Sequence, residues 1–376
     1  MIESGLSICA LLVVAACENP PIGEPAGNAD TLRLVGSPIP TGPAPSKVAV
    51  GDLTGDGDAD LLVTVTDADR VLLLRGDGSG RFRDASEFPA GENPVDVALG
   101  DLDGDGDLDA VIANHETDYL TTLENDGRGG LAPFPESPLT VELGPHPHAV
   151  LLSDLDRDGH LDLLVDDRQG EAVLIYAGDG KGGFDRPPTR VAVGGDPYRG
   201  MVLGDLNGDG FLDLVTPNAT EVAVTLGDAA GGFDPPRGIP ADRPFEVGLG
   251  NMDGDGALDL IVAEEPGRVR VLGGRRDGTF GDEPMVEIRW APGAKAVAPG
   301  DIDGDGLSDA AVTSWDSNEA LILFGGRSGI RQDFVEGGEN PWGVALADLD
   351  GDGGAEILVL DNTGGMLRIY SNGPDD

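Results

Sequence analysis

Seven short segments of the chain carry oxygen-bearing side chains at the same spacing, a pattern that could hold a metal ion. Each spans nine residues, with Asp, Asn, Thr or Glu at positions 1, 3, 5 and 9 and Gly at position 6. A glycine there permits the positive φ of a sharp turn, so the carboxylates can converge. Hard oxygen donors are typical of calcium sites, and the absence of Cys and His from these four positions argues against zinc. We therefore predict a structural calcium ion in each segment, about seven in all.

We name these segments acidic loops 1 to 7, in chain order. The predicted metal ligands are Asp52, Thr54, Asp56 and Asp60; Asp101, Asp103, Asp105 and Asp109; Asp154, Asp156, Asp158 and Asp162; Asp205, Asn207, Asp209 and Asp213; Asn251, Asp253, Asp255 and Asp259; Asp301, Asp303, Asp305 and Asp309; and Asp348, Asp350, Asp352 and Glu356. Loops 1, 4 and 5 each have one neutral side chain among the four, which predicts weaker binding there.

Two other interpretations of the acidic loops compete with calcium binding. An EF-hand needs an acidic ligand at position 12, where these segments have Val, Ile or Thr. A metal-free Asp-Gly turn is the second alternative, since both residues are common in turns. However, the three or four carboxylates of each loop repel one another unless a cation neutralises them or their pKa values rise.

The acidic loops recur at intervals of 49, 53, 51, 46, 50 and 47 residues, which indicates a structural repeat. Short apolar runs precede and follow each loop, a third run comes next, and a Gly-rich turn introduces a weaker fourth. Short apolar runs bounded by Gly and Asp predict strands rather than helices. The sequence therefore predicts an all-β fold, a seven-bladed β-propeller of four-stranded antiparallel blades. We expect residues 32–35 to complete the last blade, so that the N-terminal strand closes the ring.

The start of the chain indicates export. Residues 5–16 form an apolar run that is too short to span a membrane and suits the core of a secretory signal. The run ends in Val14-Ala15-Ala16-Cys17, which resembles the lipobox of bacterial lipoproteins. The resemblance implies a signal peptide over residues 1–16, a lipidated Cys17, a flexible linker to residue 30 and a propeller over residues 31–376. An ordinary cleaved signal is the alternative. We expect a cell-envelope lipoprotein, at the outer membrane or cell surface, or a secreted protein.

Composition excludes several classes of partner. A formal net charge of −45 disfavours nucleic acid and anionic membranes, so a lipid anchor is the expected route to a membrane.

The sequence contains no metalloprotease, serine-hydrolase or P-loop motif, which predicts a protein that is not an enzyme. We expect a monomer.

The acidic loops, the Gly-rich turns that end in Phe (Phe82, Phe184, Phe233 and Phe280) and the repeat length together resemble FG-GAP and VCBS repeats. The resemblance covers residues 31–372 and implies a propeller of the integrin α-subunit type, with ligands held at the face opposite the calcium loops. Just before the first strand of several repeats lie the ligand-binding candidates His148, Tyr198, Arg199, Phe245 and Trp342.

Aromatic and Arg side chains at equivalent positions of a repeat suit recognition of a protein or a glycan. The first hypothesis is a surface interaction or adhesion module with calcium as a structural ion. The alternatives are a lectin-like carbohydrate binder and, with less support, an enzyme that acts on polysaccharide. A further alternative is that the five side chains only fill the central channel and pack on one another.

Overall fold

A computed structural model describes residues 32–141, 146–229, 231–290 and 292–373. The proposed signal peptide, Cys17 and the linker lie outside these residues. The described strands form seven antiparallel sheets and a separate two-stranded hairpin. Six of the sheets are built around four strands in chain order, and the seventh is completed by the first strand of the chain. The predicted seven-bladed β-propeller is therefore confirmed.

The first four blades follow two short N-terminal strands, β1 (Arg33–Leu34) and β2 (Ile39–Pro40). Blade 1 contains β3 (Pro45–Gly51), β4 (Asp60–Val65), β5 (Arg70–Gly76) and β6 (Phe82–Pro89). Blade 2 contains β7 (Pro94–Gly100), β8 (Asp109–Asn114), β9 (Tyr119–Asn125), β10 (Leu131–Pro133) and β11 (Leu139–Thr140). Blade 3 contains β12 (Val150–Ser153), β13 (Asp162–Asp167), β14 (Ala172–Tyr176) and β15 (Thr189–Ala192). Blade 4 contains β16 (Val202–Gly204), β17 (Asp213–Pro217), β18 (Glu221–Thr225) and β19 (Arg237–Pro240).

The last three blades have the same order. Blade 5 contains β20 (Pro244–Gly250), β21 (Asp259–Glu264), β22 (Arg268–Leu272) and β25 (Val286–Arg289), with β23 (Gly274–Arg275) and β24 (Thr279–Phe280) as the two-stranded hairpin. Blade 6 contains β26 (Ala294–Gly300), β27 (Asp309–Ser314), β28 (Glu319–Phe324) and β29 (Arg331–Glu336). Blade 7 contains β30 (Pro341–Ala347), β31 (Glu356–Asp361) and β32 (Met366–Ser371), completed by β1.

Burial falls from the inside of each blade to its outer edge. Every residue of the second strands is buried, which explains the short apolar run that follows the initial Asp or Glu of each strand. The fourth strands are mostly exposed or half-buried, as in β6 and β19. Both faces of the inner strands are covered because neighbouring blades stack on them.

The apolar core is divided among the interfaces between blades. Among the described residues, seven clusters of buried side chains each join two neighbouring blades. One of them joins blade 7 to blade 1 and brings Leu358 and Leu360 against Leu61 and Val63. Since the last blade packs on the first, the ring is closed by apolar contacts as well as by strand pairing.

The N-terminal strand pairs with the last strand of the chain. Arg33 lies opposite Ser371 and Leu34 opposite Tyr370 in an antiparallel register, and the amide of Val35 donates to the carbonyl of Ile369 at 2.7 Å. β2 pairs with the same strand further along. The predicted closure is confirmed, and it leaves β32 with partners on both sides, which protects a strand edge that could otherwise aggregate.

A short 3₁₀ turn at Thr66–Ala68 follows β4. The described part of the chain contains no helix with the length and hydrophobicity needed to span a bilayer.

Candidate functional site

Each acidic loop connects the first strand of a blade to the second. In loop 1, the Oδ1 of Asp52 accepts the amide of Gly55 at 2.7 Å, and its Oδ2 accepts that of Gly57 at 2.9 Å. Gly57 has a φ of 92°, a conformation that glycine adopts without strain. The loop therefore wraps around its first carboxylate, which is what the spacing of Asp and Gly predicts.

The carboxylate at position 9 ties three strands of a blade together. In loop 1, the Oδ2 of Asp60 accepts the amides of Leu53 (2.9 Å) and Thr54 (3.0 Å), and its Oδ1 accepts the amide of Gly76 at 2.9 Å. Asp60 begins the second strand, whereas Gly76 ends the third. A Cβ at Gly76 would lie 2.1 Å from the carbonyl oxygen of Ala59, so only glycine fits there.

In four of the acidic loops, three carboxylate groups have oxygen atoms within 4.8 Å of one another. These groups are Asp101, Asp103 and Asp109; Asp154, Asp156 and Asp158; Asp301, Asp303 and Asp309; and Asp348, Asp350 and Glu356. Loops 1, 4 and 5, which have a neutral side chain in the pattern, form no such group of three among the described residues. The other predicted ligands lie in the same loops but outside these close groups.

The donor set fits calcium. All of these donors are oxygens, which hard divalent cations prefer. The Oδ1 of Asp303 and the Oγ1 of Thr54, both at position 3 of their loops, are buried and have no hydrogen-bond partner. Buried polar atoms are rarely left without a partner. A bound cation would provide the missing partner for each of these two oxygens. Several acidic clusters can therefore bind metal ions.

The electrostatics of the close groups agree with this conclusion. Burial, together with the neighbouring carboxylates of the same loop, raises the pKa of Asp109, Asp309 and Glu356 to about 7, although backbone hydrogen bonds oppose the rise. The carboxylates therefore interact unfavourably in the absence of a cation.

The ligand-binding candidates lie at the opposite ends of the first strands. A first strand such as β3 has seven residues and so spans about 20 Å at ~3.3 Å per residue, which separates the two faces. The five candidates His148, Tyr198, Arg199, Phe245 and Trp342, here named the channel ring, come from blades 3, 4, 5 and 7. The fold brings all five together.

Members of the channel ring contact one another. The ring centroids of His148 and Tyr198 are 5.2 Å apart, those of Tyr198 and Phe245 5.3 Å, and those of Phe245 and Trp342 5.9 Å. The guanidinium of Arg199 lies 4.9 Å from the centroid of Trp342. His148 and Phe245 are buried, whereas Tyr198, Arg199 and Trp342 are half-buried and keep part of their surface in solvent.

Three further contacts, one between aromatic rings and two between a cation and a ring, extend the channel ring. Trp315, which follows β27, meets Trp342 edge to face at 5.1 Å. Lys295 lies 3.9 Å from the centroid of Phe245, and Arg168 lies 4.4 Å from that of Tyr198. The face therefore combines aromatic surface with cations, and sequence reasoning missed Arg168 because it lies in a loop between strands of blade 3.

A charged network lies beneath the channel ring. The Nζ of Lys47 lies 3.5 Å from the Oε1 of Glu246 and 3.8 Å from the Oδ1 of Asp96. Burial would lower the pKa of Lys47, but Glu246 and Asp96 outweigh it and raise that pKa. Asp96 and Glu246 were also missed, although they share with Lys47 the position five residues before an acidic loop, where the other repeats have Ala or Gly.

The cavity at this network is small. Its volume is about 30 Å³, and residues from all seven blades line it. A water molecule needs roughly 10–15 Å³ by this kind of measure, so the space holds about two waters. The cavity therefore has no room for a molecule much larger than water.

The fold occurs in proteins of different kinds. An Agrocybe aegerita lectin that recognises non-reducing terminal N-acetylglucosamine is 18% identical, with a TM-score of 0.58 over 88% of this chain and 86% of that one. BBS1N, from its complex with ARL6DN, is 13% identical, with a TM-score of 0.60 over 89% and 94%. A catalytically inactive virginiamycin B lyase from Staphylococcus aureus, with quinupristin, is 15% identical, with a TM-score of 0.58 over 91% and 99%. At these identities the likeness shows the fold alone.

The search of curated proteins finds no match. The FG-GAP-like repeat family, in contrast, matches residues 52–112, 103–165, 154–216 and 251–312. Each match begins at or just inside one acidic loop and ends in the second strand of the next blade, so it spans two successive acidic loops. Because the matches cover residues 52–216 and 251–312, more than half of the 376 residues, the chain belongs to the FG-GAP-like repeat family.

Proposed function

We propose that this protein is a calcium-stabilised interaction module that binds a macromolecular ligand at the channel ring and does not act as an enzyme. The observation that carries the proposal is the convergence of aromatic and cationic side chains from several blades on the face opposite the acidic loops. Aromatic residues and Arg dominate the binding energy of many interfaces.

The small cavity supports a macromolecular ligand rather than a small one. Pockets for small molecules usually enclose roughly 300–1,000 Å³, far more than the cavity of about 30 Å³ at the channel axis. Tyr198, Trp315, Trp342 and Arg199 are the half-buried groups that a docking partner can reach. Buried Phe245 holds Tyr198 and Trp342 in place from behind.

Calcium supports this function indirectly. Each ion would neutralise the carboxylates of one acidic loop, about seven ions in all, with the tightest binding in loops 2, 3, 6 and 7, where the close groups lie. The position-9 carboxylate joins the loop to the second and third strands, so metal binding would stabilise the blade that carries the ligand face. Metal analysis and thermal unfolding with calcium and with chelator test this step.

A glycan is the second candidate ligand. The Trp315–Trp342 pair, at 5.1 Å and an interplanar angle of 88°, offers two aromatic faces at right angles, and aromatic faces pack well on the apolar side of sugar rings. The Agrocybe aegerita lectin provides an example of a propeller that recognises a sugar. An enzymatic role has less support, although the virginiamycin B lyase is also a propeller.

The decisive experiment compares ligand capture by the calcium-loaded protein and by Trp342→Ala. Purified surface proteins and a glycan array serve as probes, and Phe334→Ala is the control because Phe334 is an exposed aromatic on an outer strand. Loss of binding in Trp342→Ala alone supports the channel ring as the site. Equal binding by the wild type and Trp342→Ala contradicts it, and polymer cleavage by the wild type would favour an enzyme.

Export and lipidation at Cys17 remain part of the proposal, on the sequence pattern of residues 1–17. Expression of the full chain in a bacterium, followed by fractionation, tests them. We expect the wild type in the membrane fraction and Cys17→Ser outside it. Retention of unprocessed protein in the cytoplasm would contradict export.

A further inference from the structure

Three of the four histidines of the chain lie together at the channel face. The ring centroids of His115 and His148 are 4.7 Å apart, those of His115 and His146 5.1 Å, and those of His146 and His148 6.0 Å. His115 follows the second strand of blade 2, whereas His146 and His148 precede the first strand of blade 3. The fold therefore assembles this histidine cluster from two blades.

One of the three rings is held by a buried carboxylate. The Oδ2 of Asp166, on β13, lies 3.3 Å from the Nδ1 of His148, and its Oδ1 accepts the amides of His148 and Ala149, both at 2.8 Å. Asp166 and His148 are 2% and 5% exposed. A carboxylate on Nδ1 favours the proton on that nitrogen and leaves the lone pair of Nε2 free, which is the usual arrangement behind a metal-binding histidine.

A second ring of the cluster, that of His146, contains a polar atom without a partner. The Nδ1 of His146 is buried and has no hydrogen-bond partner. The backbone of His146 has a φ of 130°, outside the conformations that residues other than glycine ordinarily adopt. Strained backbone and unpaired polar atoms concentrate at functional sites, and a bound ligand would explain both.

We propose that His115, His146 and His148 bind a divalent transition-metal ion of borderline softness, with Zn²⁺ as the reference ion. Imidazole nitrogens suit such ions, and three histidines make a known zinc-binding set. Around a tetrahedral ion with Zn–N distances of about 2.0–2.1 Å, ring centroids lie about 5 Å apart. The observed centroid distances of 4.7 to 6.0 Å bracket this value.

Binding requires rotation of the rings. In the described residues, the groups whose ligand atoms already lie within 4.8 Å of one another are the carboxylate groups of the acidic loops. His115 and His146 are half-buried, so neither ring is fully enclosed by protein, whereas His148 is anchored by Asp166. The guanidinium of Arg199 opposes a positive charge at His115, and the buried carboxylate of Asp166 acts in the opposite direction.

The histidine cluster and the acidic loops would select different ions. Nitrogen donors select transition metals, whereas the loops offer hard oxygens and lie at the other end of the first strands. The inference rests on the three rings and Asp166, and it does not depend on the ligand proposed for the channel ring.

The test is a titration of the full chain with Zn²⁺ in saturating calcium, followed by calorimetry, with Co²⁺ absorption as a second probe of nitrogen coordination. We expect about one equivalent of Zn²⁺ at the three-histidine site. His115→Gln and His146→Gln should each weaken binding about 10-fold or more, the size of effect that ligand and supporting residues have. His160→Gln is the matched control, because His160 lies in acidic loop 3, away from the cluster.

Thermal unfolding in saturating calcium establishes that each variant is folded. The proposal is overturned if the wild type binds no Zn²⁺ under these conditions. It is also overturned if His115→Gln and His146→Gln bind Zn²⁺ as the wild type does, or if His160→Gln weakens binding as much as they do.

Discussion

Replacing Asp303 by Asn in acidic loop 6 should stabilise the metal-free protein and reduce the further stabilisation that calcium provides. In this loop, oxygens of Asp301, Asp303 and Asp309 lie within 4.8 Å of one another, so three negative charges repel when no cation is present. Loop 4 already has Asn207 at the equivalent position, and its amide donates to the Oδ2 of Asp209 at 2.9 Å. The substitution therefore introduces an arrangement that this fold accepts elsewhere.

The size of the effect follows from Coulomb's law. Two unit charges 4.8 Å apart interact by about 1 kcal/mol at the permittivity of water and about 3.5 kcal/mol at an effective permittivity of 20. Asp303→Asn removes two of the three repulsive pairs. Because Asp301 and Asp303 are half-exposed, although Asp309 is buried, we take a total near the lower figure, about 2 kcal/mol. With an unfolding entropy of about 2.1 cal/mol/K per residue over roughly 340 residues, the melting temperature should rise by about 3 °C.

Thermal unfolding should be followed with excess chelator and with excess calcium. A pH of about 8.5 keeps the carboxylates ionised, since unperturbed Asp titrates near 3.9 and the pKa of Asp309 is raised to about 7. In chelator, Asp303→Asn should melt higher than the wild type, and its calcium-induced rise in melting temperature should be smaller because one negative charge of the metal-binding group is lost. Asp282→Asn removes an exposed charge outside the loops and should change neither value. A variant that melts no higher than the wild type in chelator, or gains as much from calcium, would refute the reasoning.

Three further changes test the scaffold. Gly178→Ala places a Cβ 2.2 Å from the carbonyl oxygen of Leu161 and should destabilise the protein by about 3 kcal/mol, measured as a lower melting temperature. Lys47→Met leaves Glu246 without its partner at 3.5 Å and should cost about 3 kcal/mol, part of which Glu246→Gln in the same chain restores. Removal of residues 32–40 deletes β1 and β2, exposes the edge of the last strand and should cause aggregation, measured by size-exclusion chromatography.

Each of these changes has a control. Gly373→Ala adds a Cβ with nothing within 4 Å and should be neutral; if it destabilises as Gly178→Ala does, steric overlap is not the cause. For the charged network, the control is the double variant Lys47→Met/Glu246→Gln. If it is less stable than Lys47→Met alone, the unpaired charge of Glu246 is not the cause of the destabilisation. For closure, a chain that begins at residue 32 keeps both strands and should stay monomeric.

The repeat, the strands and the closure of the ring could be predicted from the sequence. They depend on local patterns: apolar runs of strand length, Asp-Gly turns and an interval near 50 residues that recurs along the chain. The pairing of the N-terminal strand with the last strand of the chain was also predictable, because the last repeat lacks its fourth strand and the first is preceded by one. The positions of the oxygen donors in each acidic loop were predictable for the same reason, because a pattern of nine consecutive residues specifies them.

The sequence did not predict how close the carboxylates of each loop lie. Loops 2 and 6 bring positions 1, 3 and 9 within 4.8 Å, whereas loop 3 brings positions 1, 3 and 5 together. The side chain at position 9 is fixed by a backbone amide from another part of the blade. In loop 3, for example, the Oδ1 of Asp162 accepts the amide of Gly178. Such contacts depend on how the whole blade folds.

The sequence alone determined the architecture, because each blade is encoded by one short pattern that is read locally and repeated. Only the tertiary structure decided which side chains meet at the axis. Lys47 and Glu246 are 199 positions apart, and His115 lies in a different blade from His146 and His148. Such neighbours come together only when all seven blades close the ring, so no local pattern specifies them.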